Sequence, residues 1–413
     1  MKTMSTGRPI PAQAWSRPMD RKPETPAAPV YPHITNGGWR QGLPLGGFGT
    51  GGIVRNLNGA FTRWTLKAGK VKHFCEPANM FAVRQETDSG NVYATALHPG
   101  HPLAANTDGT PKTLSAWQWQ LDPAQCTYHA LFPRAWYDIP AADDRPVAMT
   151  CEQFSPVLPR NYRETSFPAG VFRWTLHNPS DRPVRVSLLF SWVNMVGWFA
   201  DFGSGKPGGR SSGNINRSFL HPMDNGEEMA VLEFDRRRPD DAPREGDGQF
   251  CLATRSGDGR RVSCRTAFHA GGDGRDLWED FVDDGTLEDH PSWVAGPNQR
   301  LGGALCSTVT VPPGDSEDIT FVLTWDLPVA AFGSGREHWR RYTTFFGRDG
   351  RAAPAIAEEA LRNTDKWAAE IDRWHGEVIG DAERPAWYYA MLLNETYLAV
   401  DGLTVWTDGR KDD

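Results

Sequence analysis

The chain of 413 residues carries 39% hydrophobic and 11% aromatic side chains and a formal net charge of -7. That is enough apolar material for a large core spread over two or three domains. Acidic and basic residues are interspersed and the pI is near 5.9, so no basic field exists to grip a nucleic-acid backbone or an anionic membrane, which argues against nucleic acid as a partner.

At the N-terminus, "MKTMSTGRPIPAQAWSRPMD" puts Arg and Pro where a secretory signal needs an unbroken apolar run, and no span of about 20 apolar residues occurs further on. We expect residues 1–33 to be a disordered, cytoplasmic lead-in, with no transmembrane segment. "GLPLGGFGTGGIVRNLNGAFTRWTL" then holds Gly47, Gly49 and Gly52 in the G-x-G-x-x-G spacing of a dinucleotide fingerprint. That fingerprint needs a strand before the glycines and a helix after them, whose N-terminal amides hold a pyrophosphate. Here Pro44 precedes and a hairpin-like "GIVRNLNGAFTRW" follows, so the glycines read as suppliers of positive backbone angles at a tight corner. A further reading is that bare backbone lets another surface or a sugar approach closely.

From Gly37 to Pro328, short alternating or β-branched runs are separated by Gly, Pro, Asn and Asp, the punctuation of antiparallel strands. "GVFRWTLHNPSDRPVRVSLLFSWVN" and "STVTVPPGDSEDITFVLTWDLP" each read as strand, turn, strand. The expectation is a large antiparallel β-sandwich over residues 34–350. The 17 tryptophans suit sandwich cores and sugar-binding clefts alike. In the Gly/Ser-rich stretch "VGWFADFGSGKPGGRSSGNINRSF", Trp198, Phe199 and Phe202 are candidates for shaping the mouth of such a cleft. "DLWEDFVDDGTLEDHPSW" lacks the ligand alternation of a calcium loop and reads as a solvated turn. The six cysteines are scattered singly and no H-E-x-x-H run occurs, so reduced core thiols, no metal and no cofactor are expected.

Past "WDLPVAAFGSG" the period changes. Ile356, Ala360, Trp367, Ile371, Trp374 and Val378 fall on one face of a long helix. A second helix is predicted in "DAERPAWYYAMLLNETYLAV", with Asp381 as a cap, Pro385 near the first turn, and apolar residues round much of its circumference. Such a helix is normally enclosed by others, so residues 351–413 look like the beginning of a helical domain. Glu395 lies in its apolar run. A carboxylate among Tyr, Leu and Met side chains must be paired, hydrogen-bonded or protonated. A structural ion pair to arginine is the default reading; a catalytic carboxylate beside Asn394, with Asp401, Thr404 and Trp406 offered to a ligand, is the alternative.

"NETYLAVDGLTVW" resembles the Asn-Glu-Leu-Tyr…Asp-Gly-Gly-Thr-Val-Trp segment of the bile-acid β-glucosidase or non-lysosomal glucosylceramidase family, glycoside hydrolase family 116. "GLPLGGFGTGGIVRNLNGAFTRW", "LFPRAWYDI", "FSPVLPRNYRETSFPAGVF" and "WDLP" with "HWRRYTTFFG" resemble further family segments in the same order, from about Gly38 onward. Thr396 stands where the family has Leu, and Leu403 where it has the second Gly. The resemblance implies a mainly β chain: an N-terminal β-sandwich followed by the first helices of a truncated (α/α)6 barrel. It implies a retaining β-glucosidase acting on a β-glucoside or glycolipid, with Glu395 as nucleophile and Asn394, Asp401, Thr404 and Trp406 in substrate binding. The family's acid/base Asp lies downstream of the nucleophile, outside this chain, so the chain is expected to be inactive alone and to need a separate chain or a longer form for the rest of the barrel. The competing expectation is a non-catalytic carbohydrate-binding or scaffold sandwich derived from such an enzyme.

Overall fold

The strand-and-turn punctuation folds into antiparallel sheets. The computed structural model describes residues 9–19, 42–103, 112–200, 212–223, 226–237, 242–257, 259–333, 335–401 and 404–412. A nine-stranded sheet runs in the spatial order Trp15–Pro18, Thr127–Leu131, Arg134–Ile139, Ala148–Phe154, Ala169–His177, Ser316–Asp326, Gln249–Ser256, Glu228–Arg236, Asn214–Pro222. A five-stranded sheet of Arg261–His269, Leu301–Val311, Val184–Val193, Met80–Thr87 and Val92–Ala96 packs against it. Both strand-turn-strand stretches cross between the sheets: Ala169–His177 is in the large sheet and Val184–Val193 in the small one, and Leu301–Val311 and Ser316–Asp326 are divided likewise. The two turns brace each other, the Asn178 amide donating to the Arg182 and Val311 carbonyls at 2.7 and 3.0 Å.

Alternation in the central strands loads both faces of the large sheet. Phe172, Trp174 and Leu176 face the core between the sheets, while Ala169 and Val171 belong to a second cluster on the outer face. The inner core is aromatic: Phe81 stacks on Phe190 at 3.9 Å, and both meet Phe172 edge-on at 5.2 and 5.4 Å. Trp64, Trp136, Trp174, Trp192, Trp325 and Trp367 are all fully buried. Trp198 and Phe199 join the same core, against Phe74 and Trp64. That corrects their expected place at a cleft mouth; Phe202 lies outside the described residues.

The lead-in also needs correction. Trp15–Pro18 is an edge strand paired with Thr127–Leu131, and Met19 behind it is buried. Four extended residues suffice for this because an edge strand needs partners on one side only, where even Pro is tolerated. The acidic stretch taken for a turn contains helix α1 (Arg275–Asp284), which buries Leu277, Trp278 and Phe281 on one side and leaves its charges outside. All six cysteines are unpaired; burial pushes the Cys151 and Cys306 thiols up to about 12.

After α2 (Thr343–Phe346), the long helix α3 (Ala353–Ile379) lies across the outer face of the large sheet. Its predicted apolar face is the buried one: Ile356, Ala360, Trp367 and Ile371 cover Val171, Val231, Ala253 and Val322. Asp326, at the end of a central strand, fixes where α3 begins. Its carboxylate accepts the Tyr342 hydroxyl at 2.7 Å and the Ala352 amide at 2.8 Å. Midway along, Glu152 sits between Arg134 and Arg173; these guanidinia also reach Asp372 at 2.5 Å and Asp365 at 3.1 Å on α3.

Glu152 is therefore a buried carboxylate shared by two arginines that staple helix to sheet. Glu152→Ala removes the carboxylate the two guanidinia share, leaving them the more exposed Asp372 and Asp365, and is expected to cost about 2–3 kcal/mol of unfolding free energy, read by denaturant titration. Stability within about 1 kcal/mol of the parent would refute the role given to it.

Candidate active site

The segment carrying the candidate residues is held from both ends. Helix α4 (Ala386–Asn394) begins after Pro385, not at Asp381, and continues into a 3-10 turn over Glu395–Ala399. Its Leu393 packs with Leu131, Trp136 and Trp374. The Asn394 amide closes that contact: its oxygen accepts the Phe132 N–H at 2.7 Å and its nitrogen donates to the Ala130 carbonyl at 3.2 Å. From α3, His375 Nε2 donates to the Phe132 carbonyl at 2.9 Å. Burial drives the His375 imidazole down to about 4, the carbonyl opposing only in part, so the ring is neutral and structural. Asn394 is thus an anchor of α4, its polar atoms already spent on backbone.

On the other side the segment rests on the Gly-rich loop. Pro44–Leu45, Ile53–Arg55, Phe61–Trp64 and Lys72–His73 form a small antiparallel sheet, so the strand-to-helix context of a dinucleotide site is absent. Gly49 has φ +75°, and a Cβ there would stand 2.6 Å from the Trp406 backbone nitrogen. At Gly52 a Cβ would stand 3.1 Å from the Val400 carbonyl oxygen. Both readings of the glycines hold: the corner needs a positive φ, and the bare backbone admits a second surface. Arg340, fully buried, ties the parts together by donating to the Gly49 and Leu66 carbonyls at 2.7 Å each. Thr407–Arg410 then pairs with Arg336–Arg340, bringing the chain back onto the sandwich as a strand.

The two aspartates of this segment are both committed. Asp401 is buried and ion-paired with Arg63 of the Phe61–Trp64 strand. Asp408 meets the Thr344 hydroxyl at 2.7 Å, Arg341 at 2.9 Å and Arg348 at 3.0 Å. The Thr344 hydrogen bond first, then the two guanidinia, hold the Asp408 carboxyl below the usual range. It stays ionised and is no proton donor near neutrality. Thr404 donates to the Leu398 carbonyl at the long distance of 3.5 Å. Trp406 sits among Phe48, Tyr162 and Arg341, with ring separations of 6.4 and 6.0 Å to the two aromatic neighbours.

Glu395 differs from what its apolar neighbours suggest. It is exposed, and among the described residues its carboxylate has no ion-pair or hydrogen-bond partner. Neither the dehydrated setting nor the arginine pair occurs, because only Tyr389, Ala390 and Leu393 of α4 turn toward the sandwich. Trp387, at 65% exposure, Met391, Leu392 and Leu398 face outward, so nothing apolar closes over the carboxylate. The sequence reading missed Arg63, Arg340 and Tyr162. All three lie inside stretches quoted above, "GAFTRW", "HWRRYT" and "PRNYRE"; what the sequence lacked was the tertiary pairing. An open groove lined by Arg217, Phe219, Glu233, Thr266 and Asp289 lies at the Asn214–Pro222 edge strand and contains none of the candidate residues. Among the described residues no group of three or more His, Cys, Asp or Glu side chains is arranged to hold a metal. Among the described residues no helix is long and apolar enough to cross a membrane.

Gly49→Val places a β-branched side chain at a positive φ and into the Trp406 backbone. We expect a loss of more than about 2 kcal/mol and loss of amide-exchange protection over residues 393–401 and 404–407. Parent-like stability and protection would show that the loop does not carry the segment.

The family model described as beta-glucosidase 2, glycosyl-hydrolase family 116 N-term, matches residues 42–367, ending before Glu395. Among solved structures, a protein described as a kojibiose phosphorylase from human microbiome aligns at 8% identity and a TM-score of 0.30, over 86% of this chain and 35% of that one. The chain therefore spans about a third of that protein's length. With most of its residues matched by the family model, the chain belongs to glycosyl-hydrolase family 116, whose N-terminal domain it contains.

Proposed function

We propose that the chain is the sandwich and the opening of the catalytic domain of a retaining β-glucosidase of the glucosylceramidase type, acting on a β-glucoside or glycolipid. Glu395 is the nucleophile in this reading. The observation that carries it is the contrast within one segment: Asn394, Asp401 and Asp408 are each engaged by protein groups, while Glu395 between them has a free carboxylate on a clamped helix end. A nucleophile must be ionised, accessible and fixed in direction. Exposure leaves it accessible, and the clamps supply the direction.

Retention needs a second carboxyl about 5–5.5 Å from the first, which protonates the leaving oxygen and then activates water. Asp401 and Asp408 are held by arginines, so we assign that role to a residue beyond these 413, on further helices that would cover the outward faces of Trp387, Met391 and Leu398. Six unpaired cysteines favour a cytoplasmic setting, where thiols stay reduced.

The chain alone should show no turnover of an aryl β-glucoside; turnover abolished by Glu395→Gln would place the acid within it. In a longer or complemented form, a fluorinated glucoside probe should label Glu395, and Glu395→Gln should lower the rate by at least about a thousandfold. Labelling at another residue would overturn the assignment. Binding of glucosides with no turnover in the longer form would favour a carbohydrate-binding or scaffold role.

A further inference from the structure

Of the large apolar side chains left exposed among the described residues, Tyr162 is the most open, at 71%. The loop that presents it is the opposite of loose. Leu158 and Thr165 are joined twice, the Thr165 hydroxyl accepting the Leu158 amide at 2.9 Å and donating to its carbonyl at 3.0 Å. Asn161 accepts the Glu164 amide at 3.1 Å and donates to its carboxylate at 2.6 Å. That carboxylate is also paired with Lys366 of α3 at 2.7 Å. Ser166 donates to the Arg163 carbonyl at 2.7 Å, and Glu164, Thr165 and Ser166 are all buried. Arg160, at the turn into the loop, is held at φ +65°, a left-handed conformation that a non-glycine residue adopts only at a cost. Every residue from Asn161 to Ser166 except Tyr162 is thus engaged in bracing, and the result is a rigid mount for one ring in solvent.

The direction of that ring is set by the Gly-rich loop. The Phe48 amide donates to the Thr165 carbonyl at 2.8 Å, and a Cβ on Gly47 would stand 2.3 Å from the same oxygen. The loop that underlies the Glu395–Trp406 segment through Gly49 and Gly52 therefore underlies the Tyr162 mount through Gly47 and Phe48. Consequently Tyr162 meets Trp406 edge-on, with centroids 6.0 Å apart.

We propose that Tyr162 is a substrate-binding residue supplied by the sandwich, forming with Trp406 an aromatic wall on which a pyranose ring of the β-glycoside stacks. Aromatic faces match the apolar C–H face of a pyranose, and a pre-fixed ring loses little entropy on binding. The proposal rests on the reading of the Glu395–Trp406 segment as a glycoside site.

The test is calorimetric titration of the 413-residue chain and its variants with methyl β-D-glucoside, whose sole ring is the sugar. Tyr162→Ala should weaken binding about five- to tenfold, and Tyr162→Phe should stay within about twofold of the parent. Melting temperatures should not change, since the ring is exposed. Parent-like binding by Tyr162→Ala, a Tyr162→Phe chain as weak as Tyr162→Ala, or no binding by the parent would each overturn the wall. Covalent labelling of Glu395 in a form that turns over is read separately. Failed labelling with the Tyr162 dependence intact removes the nucleophile and keeps the wall; normal labelling without that dependence does the reverse.

Discussion

The close approach of bare backbone to bare backbone at Gly47, Gly49 and Gly52 is the constraint on which the rest of the candidate site depends. A Cβ at Gly47 or Gly49 would collide with the Thr165 carbonyl or the Trp406 backbone, and one at Gly52 would press on the Val400 carbonyl. Because none is present, three stretches distant in sequence share one support. The support itself is stiff: Arg340 is buried beneath it and donates two hydrogen bonds into it, and burying that guanidinium without such partners would be prohibitive. A loop that looks like a nucleotide cradle in sequence is, in the fold, the support of the segment ending at Trp406.

Charge is distributed in keeping with this division. Arginines on the sandwich take up nearly every carboxylate brought near them, with Glu152 between two guanidinia, Asp401 on Arg63 and Asp408 on Arg341 and Arg348. Each pairing fixes a geometry: helix on sheet, the turn after α4, and the returning strand. Glu395 stands outside the pattern, at a point where flanking residues are immobilised on both sides. Glu395, exposed between the engaged Asn394 and Asp401, keeps its carboxylate clear of these pairings.

Much of this was legible in the chain. The sandwich followed from turn chemistry and alternation, and α3 from its apolar spacing, since each local signal agrees with the tertiary outcome. The turns after His177 and after Val311 were legible as turns, but turn residues do not tell a hairpin from a crossing between sheets, so the strand order was not. Helix α1 hid behind its charges: Leu277, Trp278 and Phe281, with Val282 at the edge, make up its short apolar face. Trp198 and Phe199 sit in a Gly/Ser-rich stretch yet fill the core beside Trp64, a matter of tertiary space rather than composition. Glu395 misled for a related reason. An apolar run in sequence predicts burial only where something packs on every side, and α4 touches the sandwich on one face alone. The pairing of Asp401 with Arg63 and the meeting of Tyr162 with Trp406 are long-range contacts that no local spacing encodes.

The central claim is that the sandwich holds Glu395 in working position through the segment that ends at Trp406. A double-mutant cycle of Arg63→Met and Asp401→Asn, read on the rate at which a fluorinated glucoside traps Glu395 in a form that turns over, tests it directly. The account predicts strongly non-additive losses, with a coupling of about 1–3 kcal/mol. Additive effects, or single variants that trap the probe at the parent rate, would contradict it.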